Sequence, residues 1–213
     1  MRFDIISQFP ERITSYLETG LIARAIKNHK LEVKVWDLKK YGLGRWQKVD
    51  DTPYGGGPGM ILRVDVLAKA IEAASLSSRT KPHVILFSAS GKTLDQAKLK
   101  QLATQKRLLL VPGYYEGVDK RVTTLVDEEI SLGNYVIMSG DPAALVIIEG
   151  VSRLITGVIG NPESPNDESF SKPEETEYPQ YTRPRVWRGK PVPNILLSGD
   201  HQAISRWRNK KRH

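Results

Sequence analysis

Two apolar stretches that each run into glycines constrain this 213-residue chain more than any other feature. Leu109-Leu110-Val111-Pro112-Gly113-Tyr114-Tyr115-Glu116-Gly117 and Ile130-Ser131-Leu132-Gly133-Asn134-Tyr135-Val136-Ile137-Met138-Ser139-Gly140 read as two strands, each opening into a glycine-bearing loop. Without a Cβ, Gly113, Gly117, Gly133 and Gly140 leave the backbone free to take positive φ and let a ligand approach its N–H and C=O groups closely. In open α/β sheets ligands bind beyond the carboxyl ends of the strands. These loops are therefore where a cofactor is expected.

The rest of the chain supplies a setting for such a sheet. Arg2 to Ser7 reads as a first strand, and Pro10 to Lys27 as a helix with proline in its first turn. Leu31 to Leu38 alternates apolar and charged residues with the period of a half-buried strand, and a long loop follows from Lys39 to Met60. Arg63 to Ser75 carries Val66, Leu67, Ala70 and Ile71 on one helical face, and His83 to Ser88 reads as a buried strand. Thr93 and Gln96 form a capping-box pattern before the next helix. Strands are expected at Lys106 to Val111 and Tyr135 to Met138, a helical turn or two at Asp119 to Val126, and an apolar helix from Asp141 to about Thr156 with Asp141 as N-cap. Strands alternating with helices mean an α/β domain with a mostly parallel sheet. The expected division is an α/β domain over 1–157, a linker over 158–180 rich in Pro, Ser, Asn and Glu, and a small basic extension over 181–213 with a last helix from Gln202 to Lys211.

Charge is placed unevenly. Between Tyr181 and His213 nine basic residues face one acid, Asp200, and so account for the whole net charge of +8; the first 180 residues hold 23 of each sign. Positive charge beside Tyr181, Trp187 and Trp207 points to a polyanion with stackable bases. The chain has no cysteine, which excludes disulfides, thiolate metal sites and cysteine nucleophiles and suits a reducing, cytoplasmic setting. No apolar run approaches membrane-spanning length, and the N-terminus lacks the features of a signal peptide.

Several familiar signatures fail. Gly91-Lys92-Thr93 would need a glycine at position 86 to be a phosphate-binding loop, and Leu86 stands there. Gly55-Gly56-Gly57-Pro58-Gly59 follows a polar segment instead of a strand, and Met60 occupies the last glycine position of a dinucleotide fingerprint. His29, His83, His201 and His213 show no metal-ligand spacing, and serine hydrolase signatures are absent.

A constellation remains: Tyr54-Gly55-Gly56-Gly57-Pro58-Gly59-Met60, Gly113-Tyr114-Tyr115-Glu116-Gly117, Asp127-Glu128-Glu129 with Gly133-Asn134-Tyr135-Val136, Ser152-Arg153, Tyr181-Thr182-Arg183-Pro184, Leu196-Leu197-Ser198-Gly199 with His201, and Trp207-Arg208. Together and in this order they resemble the bacterial tRNA (guanine-N1)-methyltransferases of the SPOUT superfamily. The resemblance implies an α/β fold with a C-terminal trefoil knot, a small basic C-terminal domain shorter than the family's, and a homodimer. It also implies S-adenosylmethionine bound bent by the knot loops, and methyl transfer to N1 of the guanosine 3′ of the anticodon. Partners would be tRNA and a second copy, with neither membrane nor DNA. A Mg2+ dependence is compatible, though the sequence shows no metal site.

Residue by residue, the resemblance places the cofactor against Leu86, Phe87, Ser88, Gly113, Tyr115, Glu116, Leu132, Gly133, Asn134, Tyr135, Val136, Ile137, Ser139 and Gly140. Tyr54, Gly55, Gly57, Arg183, Arg206, Arg208, Lys210 and Lys211 would meet tRNA. The reaction needs a carboxylate to take the N1 proton and a cation to stabilise charge on the guanine oxygen. Glu168 stands where the family commonly has Asp, with Asp167 beside it, and Arg153 would be the cation. The chain departs from the family at Tyr114, usually arginine, and at Ser139 and Asp141, where Gly-Gly-Glu is usual. A catalytically silent RNA-binding protein of the same fold is the competing reading.

Overall fold

The computed structural model describes residues 1–160, 169–170 and 175–212. Two compact units emerge, Met1–Gly160 and Asn161–His213. The first is an α/β unit. In chain order it contains β1 (Arg2–Ser7), α1 (Pro10–Leu17), α2 (Gly20–Lys27), β2 (Glu32–Asp37), β3 (Asp50–Asp51), β4 (Ile61–Leu62) and α3 (Val64–Leu76). There follow β5 (His83–Thr93), α4 (Gln96–Ala103), β6 (Arg107–Val111), β7 (Glu128–Ser131) and α5 (Asp141–Ser152).

Five strands pair in the order β2-β1-β6-β5-β7, every pair parallel. A parallel sheet is covered on both faces, and side chains alternate between those faces along each strand. Phe3, Ile5, Ile85, Phe87, Leu108 and Leu110 accordingly join one core with Ile13 and Leu17 of α1, Ile22 of α2 and Ile147 and Ile148 of α5. Ile6, Val84, Leu86, Leu109 and Val111 join the other with Val66, Leu67, Ala70, Ile71 and Ala74 of α3.

One buried charge pair interrupts this apolar scheme. Asp4 and Arg107 are 0% and 1% exposed, and Arg107 Nε donates to Asp4 Oδ2 at 2.8 Å. The remaining guanidinium protons reach the carbonyls of Ala74, Ser75 and Thr80 and the Ser77 hydroxyl. Burial alone would raise the Asp4 carboxyl, but hydrogen bonds from Arg2, Trp36 and Arg107 outweigh it and hold its pKa below the usual carboxylate value.

Four local expectations are corrected. The helix expected over residues 10–27 is two helices, because Thr19 is extended and Gly20 takes φ +70. Thr93 belongs to β5, and the next helix is capped by Asp95, whose side chain accepts from the Lys98 N–H. Asp141 is the first helical residue of α5 and Gly140 its N-cap. Tyr135 to Met138 is not a strand: Val136 and Met138 are 93% and 98% exposed, and the second glycine-bearing loop leaves β7 at Ser131. That apolar run reads like core but faces outward.

The second unit contains β8 (Val186–Trp187), β9 (Lys190–Pro191) and α6 (His201–Lys210). Asp200 caps α6 by accepting from the Ala203 N–H, and Arg208 and Lys210 lie in its last turn, where cations oppose the helix dipole. No helix among the described residues is long and apolar enough to cross a membrane.

Candidate active site

Strand β5 and the loops that leave the carboxyl ends of its neighbours β6 and β7 supply three segments that wall one cleft of about 190 Å³. Phe87, Ser88 and Ala89 come from β5, Gly113 to Gly117 from the loop after β6, and Leu132, Gly133 and Tyr135 to Gly140 from the loop after β7. Strand-end backbone is what a ligand meets at such a position.

The last two segments lean on each other. Gly140 N–H donates to the Gly113 carbonyl at 2.7 Å, and Tyr114 bridges Ser139. A Cβ on Gly140 would lie 2.6 Å from Gly113 N and 2.9 Å from Pro112 Cα, closer than real side chains come to backbone. Gly91 is equally tight: its Cβ would lie 2.6 Å from the Ile130 backbone, so the irregular end of β5 rests on β7.

Beneath the cleft lies a polar cluster. Tyr114 and Asp141 are 5% and 3% exposed, and both reach Ser7 at the end of β1. Ser7 Oγ donates to Asp141 Oδ1 at 3.1 Å and lies 3.1 Å from the Tyr114 hydroxyl. Burial raises both the Tyr114 phenol and the Asp141 carboxyl above their ordinary values. Beside it, Gln8 Nε2 donates to the Tyr115 hydroxyl at 2.6 Å, and Tyr115 holds a left-handed φ of +56.

At the opposite side Glu129 accepts from Ser88 Oγ at 2.8 Å and from Lys120 Nζ at 3.1 Å. Burial would raise the Glu129 carboxyl, but these donors prevail and lower it. Glu129 thus ties β7 to Ser88 of β5, one of the residues that line the cleft.

The glycine-rich segment 54–60 adjoins the same cleft. Glu116 N–H donates to the Met60 carbonyl at 3.1 Å, and a Cβ on Gly59 would lie 2.5 Å from Glu116 Cγ. Gly55, Gly56, Gly57 and Gly59 all take positive φ, which only glycine adopts repeatedly without strain. Tyr54 at its head is fully exposed, while Arg63 anchors the base of the loop through Asp51 at 2.7 Å and Asp65 at 2.9 Å.

Most of the expected cofactor residues therefore line one cleft; two do not. Leu86 is fully buried in the core on the α3 side, one residue behind the cleft, and Asn134 is exposed outside the lining. Sequence reading missed Ser7 and Gln8, which reach the site from the first strand with no local motif to mark them. Arg153 caps the carboxyl end of α5, whereas the cleft lies at the amino end of that 12-residue helix. At 1.5 Å per residue that is about 18 Å away. Asp167 and Glu168 lie outside the described residues. In the second unit Arg183, Arg206, Lys210 and Lys211 are exposed, and Arg208 stacks its guanidinium 4.8 Å from the Tyr178 ring.

Comparison with known proteins identifies this assembly. The profile of the family described as tRNA (Guanine-1)-methyltransferase TrmD matches residues 1–213. A tRNA (guanine-N(1)-)-methyltransferase of Moorella thermoacetica is 44% identical over 213 residues, 99% of this chain and 85% of the relative. One from Thermus thermophilus is 43% identical over 211 residues, 99% of this chain and 86% of the relative. The crystal structure of a tRNA (m1G37) methyltransferase from Aquifex aeolicus superimposes with a TM-score of 0.82 at 38% identity, covering 97% of this chain and 87% of that one. With the five-stranded parallel sheet, the cleft at its carboxyl edge and a match along the whole sequence, this chain belongs to the tRNA (guanine-1)-methyltransferase family.

Proposed function

We propose that this chain transfers the methyl of S-adenosylmethionine to N1 of the guanosine 3′ of the anticodon in tRNA. The observation that carries the reading is the contact of Gly140 with Gly113, which builds a backbone-walled cleft lined by most of the residues that the resemblance implies for the cofactor. The donor set suits that ligand: backbone groups of 132–140 for a nucleoside, and Phe87, Ile130 and Ala143 as apolar floor. The knot implied by the resemblance is part of this proposal.

A bound sulfonium supplies an electrophilic methyl, so the protein has little covalent work to do. It holds N1 in line with that methyl, and Glu168 or Asp167 takes the N1 proton as general base. Glu116, held against Gly59, is the acid that the resemblance implies near the target base. Arg153 stabilises negative charge on the guanine oxygen. Its place at the far end of α5 supports a homodimer in which a second copy completes the site. A Mg2+ ion, if used, would accompany the polyanionic substrate. Tyr54, Gly55 and Gly57, with Arg183, Arg206, Lys210 and Lys211, meet tRNA.

The test is transfer of labelled methyl to an unmodified tRNA transcript, beside one with adenosine replacing the guanosine 3′ of the anticodon. Label on the guanosine tRNA alone is expected. Label on neither, with cofactor binding intact by calorimetry, would favour the silent RNA-binding protein.

A further inference from the structure

The second unit carries an element that the proposed reaction leaves unused. Strands β8 and β9 pair antiparallel, Val186 opposite Pro191 and Trp187 opposite Lys190, and the Val192 N–H extends the ladder by donating to the Arg185 carbonyl at 2.9 Å. Side chains alternate along a strand and directly opposed residues share a face. Arg185, Trp187 and Lys190 therefore project from one side of the hairpin. All three are exposed, Trp187 by 56%.

The turn is the second observation. Arg188 and Gly189 take φ +48 and +74, the pattern of a two-residue hairpin turn in which Asn-Gly is the favoured pair. An arginine in the left-handed region is uncommon, and strain of this kind gathers at functional positions. Here it holds the guanidinium 4.8 Å from the Trp187 ring centroid. A stiff arm that shows an indole, with one cation on the ring and two more on the same face, has the chemistry of a single-stranded nucleic-acid contact. Bases stack on the aromatic ring whatever their identity, and the cations neutralise adjoining phosphates.

We propose that the β8–β9 hairpin is an RNA-stacking arm, in which Trp187 receives an unpaired base of the tRNA and Arg185, Arg188 and Lys190 meet the neighbouring phosphates. The inference rests on tRNA being the substrate.

The experiment is binding of a fluorescently labelled tRNA transcript to the full chain, followed by anisotropy across a salt series. Trp187→Ala is expected to weaken binding about tenfold, within the range that base–aromatic stacking supports, and Trp187→Phe to restore most of it. Lys190→Ala is expected to lower the slope of log affinity against log salt by about 0.7 to 0.9. Unchanged affinity in Trp187→Ala, or a Trp187→Phe variant as weak as Trp187→Ala, would overturn the arm. So would a fall in oligomer mass on sedimentation of Trp187→Ala, which would make the hairpin a protein interface. If the unaltered chain showed no preference for tRNA over duplex DNA of equal charge, the tRNA reading would fail and the arm with it; the Trp187 outcomes overturn the arm alone.

Discussion

Tyr114 and Asp141, 27 residues apart in the sequence, converge on a single atom, Ser7 Oγ, each at 3.1 Å. The serine proton goes to Asp141 Oδ1 and its lone pairs face the Phe9 N–H and the Tyr114 hydroxyl, so one small side chain joins β1, a cleft loop and the start of α5. Tyr114 and Asp141 thus share one buried hydroxyl, a phenol on one side of it and a carboxyl on the other.

Ser7→Ala should therefore cost about 1–3 kcal/mol of stability in urea unfolding, the penalty for buried polar groups left without partners. Asp141 Oδ2 already lacks one. Because Tyr114 lines the cleft, calorimetry should also show weaker S-adenosylmethionine binding. Wild-type stability in this variant would mean that the shared hydroxyl matters little.

Asp141 also gives the fold a pH dependence. Burial raises its folded pKa above the ordinary 3.8, so the folded chain holds that proton more readily than the unfolded one. Its contribution is full below about pH 3.8 and is lost as pH rises through the raised folded value. Asp141→Asn keeps an oxygen for Ser7 and removes the buried charge. Its melting temperature at pH 7 should exceed wild type, and the gap should narrow as pH falls towards 4. A gap that widens in acid would reverse the assignment.

Gly140→Ala should abolish cofactor binding, because its Cβ would meet backbone atoms of Pro112 and Gly113 that cannot turn aside. Gly160→Ala, where nothing lies within 4 Å, is the control and should behave as wild type. Full affinity in Gly140→Ala would show that the two loops need not touch.

Asp4→Asn leaves the Arg107 guanidinium buried without its counter-charge and should destabilise the chain by about 3–5 kcal/mol in urea. The wild-type pair has the opposite pH sign to Asp141. With the Asp4 pKa lowered, its stabilisation is present above about 3.8 and is lost as pH falls through the folded value. Asp4→Asn should consequently lose most at neutral pH and least in acid.

Arg153 and the linker acid test the dimer. In mixtures of Arg153→Ala and Glu168→Ala chains, an activity that recovers above either parent would mean that the two groups at one site come from different copies. A chain that sediments as a monomer would end that idea.

The strands were legible because apolar runs in a parallel sheet have few other places to go; Arg107 to Val111 is buried at every position. Gly140 was legible for another elementary reason, since its close approach to the Pro112 and Gly113 backbone excludes a Cβ. What escaped was tertiary. Tyr135 to Met138 has the composition of a strand but lies exposed in a loop, and hydrophobicity alone does not say whether an apolar side chain awaits a core or a ligand. Ser7 and Gln8 carry no signal, because their role depends on residues more than a hundred positions away. The break at Gly20 was hidden by apolar periodicity that runs on through it.

The buried ion pair at the amino end of the sheet has a reach beyond its own stability. A strand that slips by one residue against its neighbour turns all its side chains to the opposite face. Asp4 stands level with Leu109, two positions from the level of Arg107 and on the same face, so a one-residue slip would turn its carboxylate away and the pair opposes that slip of β1 against β6. Ser7 lies three residues further along β1, about 10 Å at the rise of a strand. A pair that touches no ligand thereby acts as a ruler, setting at one end of two strands where a serine arrives at the other.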